Sequence, residues 1–92
     1  MPLTRDFAFV MDAGVEAAKV IGAIQNANRE LISDVSVFDV YQGEHLEPGK
    51  KSLAVQVTIQ QPDKTLTDAE IEGLSRQIVL NVTKNTGAVL RA

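Results

Sequence analysis

Few side chains in this sequence could move protons, hold a metal or attack a substrate. The single histidine, His45, stands between Glu44 and Leu46 in a turn-rich stretch from Gly43 to Lys50. A general base or metal ligand needs fixed partners, and none recurs around His45 at ligand spacing. Glu44 and Glu47 add two carboxylates, which in a flexible loop are weak grounds for a cation site. His45 therefore reads as a solvated loop histidine. The chain has no cysteine, which excludes disulfides, thiolate metal sites and a cysteine nucleophile. Gly43, Gly49 and Gly87 are isolated turn or cap glycines and do not build a phosphate loop. Asp68, Glu70 and Glu72 crowd the start of a helix, where negative charge complements the dipole and a structural role suffices. The pattern points to binding rather than catalysis.

The elements that would position a binding site follow from periodicity. Phe7–Met11 is a short apolar run with the character of a buried central strand. Asp12-Ala13-Gly14 breaks it. Between Val15 and Ala27 the apolar residues Ala17, Val20, Ile21 and Ile24 recur at helical spacing, and Asn26 and Asn28 weaken the helix near its end. Val35–Tyr41 is β-branched and aromatic, hence a strand. Ser52–Gln60 alternates strictly, with Leu53, Val55, Val57 and Ile59 on one face, and Pro62-Asp63-Lys64 ends it. Thr67 and Glu70 form a capping box ahead of the stripe Ile71, Leu74, Ile78 and Val82, and Gly87 stops that helix. Ala88–Arg91 closes the chain as a last short strand.

The order is β-α-β-β-α-β. Two helices on one face of a four-stranded antiparallel sheet bury both helical stripes, which is the ferredoxin-like α+β architecture. Right-handed crossovers put the first and third strands at the centre. The other sheet face is left open. With Phe7, Phe9 and Phe38 set inward, the outward residues are Ala8, Asp39, Tyr41, Ser52, Ala54 and Gln56. Tyr41, the only tyrosine, would offer a ring beside a carboxylate and a hydroxyl, a platform for stacking one flat group and bonding its edge. The alternative is a ring half-buried at a strand end.

The bulk numbers set the frame. Ninety-two residues, 45% hydrophobic and 23% charged, make one domain spanning 1–92. No apolar run approaches the ~20 residues that cross a bilayer, and no signal-peptide pattern opens the chain. The absence of cysteine fits a cytoplasmic location. The start Met1-Pro2-Leu3-Thr4-Arg5-Asp6, which leads almost directly into a strand, suggests a piece cut from a longer subunit. A net charge of −3 argues against general phosphate-driven nucleic-acid binding.

Five blocks in fixed order resemble a known family: Arg5-Asp6-Phe7-Ala8-Phe9-Val10, Phe38-Asp39-Val40-Tyr41-Gln42-Gly43, Gly49-Lys50-Lys51-Ser52-Leu53-Ala54, Asp63-Lys64-Thr65-Leu66-Thr67-Asp68 and Gly87-Ala88-Val89-Leu90-Arg91. Together they resemble the ferredoxin-fold anticodon-binding domain that closes the β subunit of bacterial phenylalanyl-tRNA synthetase. The resemblance implies a module that holds the anticodon stem-loop of phenylalanine tRNA. It also implies partners in the rest of the β subunit and in the α subunit. Aminoacylation, with ATP and magnesium, would occur in the α subunit, and this domain would carry no cofactor of its own. The family holds a guanine, the first anticodon base, near a tyrosine and a serine that correspond to Tyr41 and Ser52, with Asp39 and Ala8 as neighbours. Arg5, Lys50, Lys51 and Arg91 would supply local phosphate contacts.

Two other functions use the same topology. A stand-alone small-molecule sensor would need a cleft with glycine at a strand-helix junction, where Gly14 is the one candidate. An acylphosphatase-type enzyme would need an arginine in a phosphate-cradling loop after the first strand, where this chain has Asp12-Ala13-Gly14.

Overall fold

The computed structural model describes residues 2–61, 63 and 65–91. Met1, together with Pro62 and Lys64 of the turn expected to end the third strand, lies outside them. The elements are β1 (Leu3–Asp12), α1 (Ala17–Ala27), β2 (Ile32–Tyr41), β3 (Lys50–Ile59), α2 (Asp68–Thr86) and β4 (Val89–Leu90). They form one sheet of order β2-β3-β1-β4, with every neighbouring pair antiparallel. The expected architecture and its central pair are therefore present.

Alternation along the two central strands separates two chemistries. Phe7, Phe9 and Met11 of β1 and Leu53, Val55, Val57 and Ile59 of β3 are buried. They share one core with Val20, Ala23 and Ile24 of α1 and Leu74, Ile78 and Val82 of α2. The intervening residues occupy the face without helices.

Each helix ends where the sequence offers its backbone another partner. Asn28 leaves the helical conformation after α1, and its side-chain Oδ1 accepts from the amides of Glu30 at 3.1 Å and Leu31 at 3.0 Å. At α2 the capping box closes reciprocally: the Glu70 amide donates to Thr67 Oγ1 at 3.1 Å, and the Thr67 amide donates to Glu70 Oε1 at 2.9 Å. Gly87 then takes a left-handed φ of 76°, and its amide donates to the Thr83 carbonyl.

The structure corrects the sequence reading in β2. Phe38 was set inward, yet it is 58% exposed. The β2–β3 ladder slips at this residue, since Val37 faces Val55 while Asp39 faces Ala54, and Phe38 has no partner across the strand pair. The helical layer also leaves this end of the edge strand uncovered, because Val40 shares a face with Leu53 and is exposed to the same 58%. A second slip lies between Ile32 and Asp34. The strands otherwise start earlier than expected, at Leu3 and Ile32, and β4 is only two residues long.

Two outcomes test these local devices. Thr67→Ala should lower unfolding free energy by about 1 kcal/mol in chemical denaturation, and no measurable loss would mean the box does not hold the helix start. At the loop-facing end of the central pair, Lys50 Nζ lies 2.7 Å from Asp12 Oδ1. That hydrogen bond, and secondly the carboxylate's charge, hold the lysine pKa above its ordinary 10.5. The pair's contribution is then complete below 10.5 and fades as pH rises through the folded value above it. From neutral pH upward, the stability gap between wild type and Lys50→Met should stay constant to about 10.5 and shrink in stronger alkali, and it should narrow in high salt.

Candidate nucleic-acid interface

On the open face, register sets small residues at the middle of the sheet and tall ones at its sides. One row runs Asp39, Ala54, Ala8 across β2, β3 and β1. It ends at Arg91, whose amide donates to the Ala8 carbonyl at 2.7 Å. The adjacent row runs Tyr41, Ser52, Val10, Val89. Ala8, Ala54 and Ser52 make a low floor, with Asp39 and Tyr41 on one side and Arg91 on the other. Three inter-strand steps separate the two sides, roughly 14 Å. His45 joins from the loop between β2 and β3, and together these seven residues line a cavity of about 420 Å³.

The slip at Phe38 matters here. Upstream of it the inward residues of β2 are Val35 and Val37, opposite Val57 and Val55. An unbroken two-residue period would carry Asp39 and Tyr41 onto the same inward face. The extra residue reverses the phase, so both stand opposite Ala54 and Ser52 on the open side.

The polar groups around the cavity are uncommitted. Among the described residues, no side-chain hydrogen bond or ion pair engages Asp39, Tyr41, His45, Ser52 or Arg91. Ser52 is only 5% exposed, flanked across the ladder by Tyr41 and Val10. Its hydroxyl sits at the floor, where it can donate or accept. Asp39 and Arg91 are exposed and bring opposite charges to opposite sides. Tyr41 is half-buried and lies against the loop at Gly43, so the strand-end reading and the platform reading both describe it.

The four expected base contacts, Tyr41, Ser52, Asp39 and Ala8, are thus brought together. Of the four cations proposed for phosphate, only Arg91 reaches the cavity. Lys50 is tied to Asp12, while Arg5 and Lys51 pair with Val57 and Met11 and so belong to the helix-side register. His45 was read as a plain solvated loop histidine. It is exposed as expected, yet it also lines the cavity. Its place depends on how the loop folds back, a property that no local residue pattern encodes.

Other concavities have different chemistry. One of about 460 Å³ lies between the helices, where Asn81 Nδ2 donates to the Ala23 carbonyl and Asn85 Nδ2 to the Asn81 carbonyl. The amides of Asn81 and Asn85 are spent on the fold. A smaller one of about 260 Å³ adjoins Gly14, where the sensor reading needed a cleft; it is lined by Glu16 and Lys19 without an aromatic ring. After β1, where a phosphatase would cradle phosphate, the Ala13 amide donates to the Gly49 carbonyl and the Val15 amide to the Asp12 carbonyl. Those donors are not free. Among the described residues, no three metal-ligating side chains cluster, and no helix is long and apolar enough to cross a membrane.

The chain is 56% identical over 90 residues to the phenylalanine--tRNA ligase β subunit of Paramagnetospirillum magneticum. It is 56% identical over 91 residues to that of Rhodospirillum rubrum, and 50% identical over 91 to that of Bradyrhizobium diazoefficiens. These alignments cover 98–99% of this chain but 11% of each relative, in the relatives' C-terminal region. The model of the ferredoxin-fold anticodon-binding domain matches residues 2–91, and this chain belongs to that family.

Proposed function

We propose that this domain holds the anticodon stem-loop of phenylalanine tRNA as the C-terminal module of a phenylalanine--tRNA ligase β subunit. The observation that carries the reading is the open-face cavity, with its low floor, its one aromatic side and its unspent polar groups. A base flipped out of a loop is flat, and it would lie over Ala8 and Ala54 against the Tyr41 ring. Guanine presents adjacent N–H donors on its pairing edge, and an acceptor-only carboxylate such as Asp39 suits them. Adenine offers a ring acceptor at the equivalent position and would meet that carboxylate unfavourably. The Ser52 hydroxyl would add a contact of either sense, and Arg91, across the floor from Tyr41, would offer its charge to a phosphate.

The remaining parts of the proposal concern the whole enzyme. The domain itself would catalyse nothing and bind no cofactor. ATP and magnesium would act in the α subunit, the rest of the β subunit would carry this module, and the assembly would work in the cytoplasm. The acidic balance is compatible with the role, because recognition of one splayed base rests on stacking and edge bonds more than on a basic groove.

Aminoacylation kinetics of the full synthetase provide the test. Tyr41→Ala should remove about 1–3 kcal/mol of tRNA binding, and Tyr41→Phe less, since the π-face survives. Asp39→Asn and Ser52→Ala should chiefly weaken discrimination between wild-type tRNA and tRNA altered at the first anticodon base. Ala8→Leu should block binding by filling the floor, whereas Gln56→Leu, outside the cavity, should not. Phenylalanine activation with ATP should be untouched throughout. If Tyr41→Ala raised KM equally little for both tRNAs while the domain stayed folded, the recognition surface would have to lie elsewhere.

Salt dependence gives an independent check. One cation at the cavity releases few counterions, so log affinity of the domain for the stem-loop should fall against log salt with a slope of about −1 to −2. A slope steeper than about −4 would reveal a basic surface that this account lacks.

A further inference from the structure

The loop between β2 and β3 contains two glycines, and they are needed for different reasons. Gly49 has a φ of 83°, a conformation that side chains disfavour, and a Cβ built there would meet nothing. Gly43 has no such backbone requirement. A Cβ on it would instead stand 2.5 Å from Tyr41 Oη, 2.8 Å from Cζ and 3.3 Å from Cε1. The hydroxyl end of the tyrosine ring therefore occupies the space that any larger residue at 43 would fill.

We propose that Gly43 is a positioning residue for Tyr41: by lacking a side chain it seats the ring, and the seated ring is the preorganised side of the base-binding cavity. Tyr41 has its backbone held opposite Ser52, so the ring has only two side-chain torsions left to settle. The loop is pinned at several points. The Leu46 amide donates to the Gly43 carbonyl, the Lys50 amide to the Glu47 carbonyl, and the Gly49 carbonyl accepts from Ala13 across the sheet end. When a methyl group is added at 43, the ring swings and the pinned loop stays. The substitution then displaces the recognition element at little cost to the fold. Fixing a rotamer before binding spares the ligand that ordering cost, and losing this should weaken binding by about 3–10-fold.

The inference rests on the anticodon reading, so the test separates the two. Wild type, Gly43→Ala, Tyr41→Ala and the double variant are titrated with a synthetic anticodon stem-loop RNA carrying guanine at the first anticodon position. Amide spectra verify folding. Gly43→Ala should weaken binding about 3–10-fold in the wild-type background and have no further effect in the Tyr41→Ala background. Equal losses in both backgrounds, or no loss in either, would overturn the positioning role. The Gly43 α-proton shifts report the seat without RNA. They should carry a ring-current displacement in wild type that disappears in Tyr41→Ala, and its absence in wild type would overturn the seat. Binding by Tyr41→Ala equal to wild type would instead overturn the anticodon reading, and with it any part for Gly43 in RNA binding.

Discussion

The ten-residue antiparallel pairing of β1 with β3 is the constraint on which the rest of this domain depends. Its register sets Phe7 against Val55 and Phe9 against Leu53 on one side, and Ala8 against Ala54 on the other. The first two pairs are buried beneath the helices, and burial of such side chains is the main favourable term in folding. The alanine pair gives up bulk at the centre of the opposite face. A shift of one residue would exchange the two sets, exposing the phenylalanines and filling the cavity with them. Stability and site geometry are thus two consequences of one register.

The outer strands complete what the central pair begins. At β2 an extra residue, Phe38, turns Asp39 and Tyr41 to the side where Ala54 and Ser52 lie. At the opposite edge β4 is short, but the Arg91 amide extends its pairing to Ala8 and so brings Arg91 to the cavity. The irregular and terminal features of the sheet carry Asp39, Tyr41 and Arg91 to the site. Regular ladder supplies the floor. This division lets an acidic domain present one localised cation across the cavity floor from one carboxylate.

Much of this was legible in the residues. The alternation of β3 and the Thr67–Glu70 box are strong local patterns, and both appear as read. The outward set including Ala8, Asp39, Tyr41, Ser52 and Ala54 was also correct, but the reasoning for β2 was incomplete. Phe38 looks like a core residue by type. Only pairing with β3 exposes it as the extra residue of a bulge, and bulges depend on a partner strand that a local pattern does not contain. Lys50 reads as a free cation until its cross-strand neighbour is known to be Asp12. His45 and Gly43 depend on loop geometry alone. Four of the five sequence blocks span these same places, the cavity rows and the loop that serves them, and the remaining one leads into the Thr67 cap of α2.

The central claim is that the open sheet face, at the Ala8–Ala54 rows, receives an anticodon base. Amide chemical-shift mapping during titration with the anticodon stem-loop RNA tests it most directly. The largest changes should fall at Ala8, Asp39, Tyr41, Ser52, Ala54 and Arg91, with Lys19, Asn81 and Asn85 of the helical groove unmoved. Changes concentrated on the helices, with the sheet face silent, would contradict it.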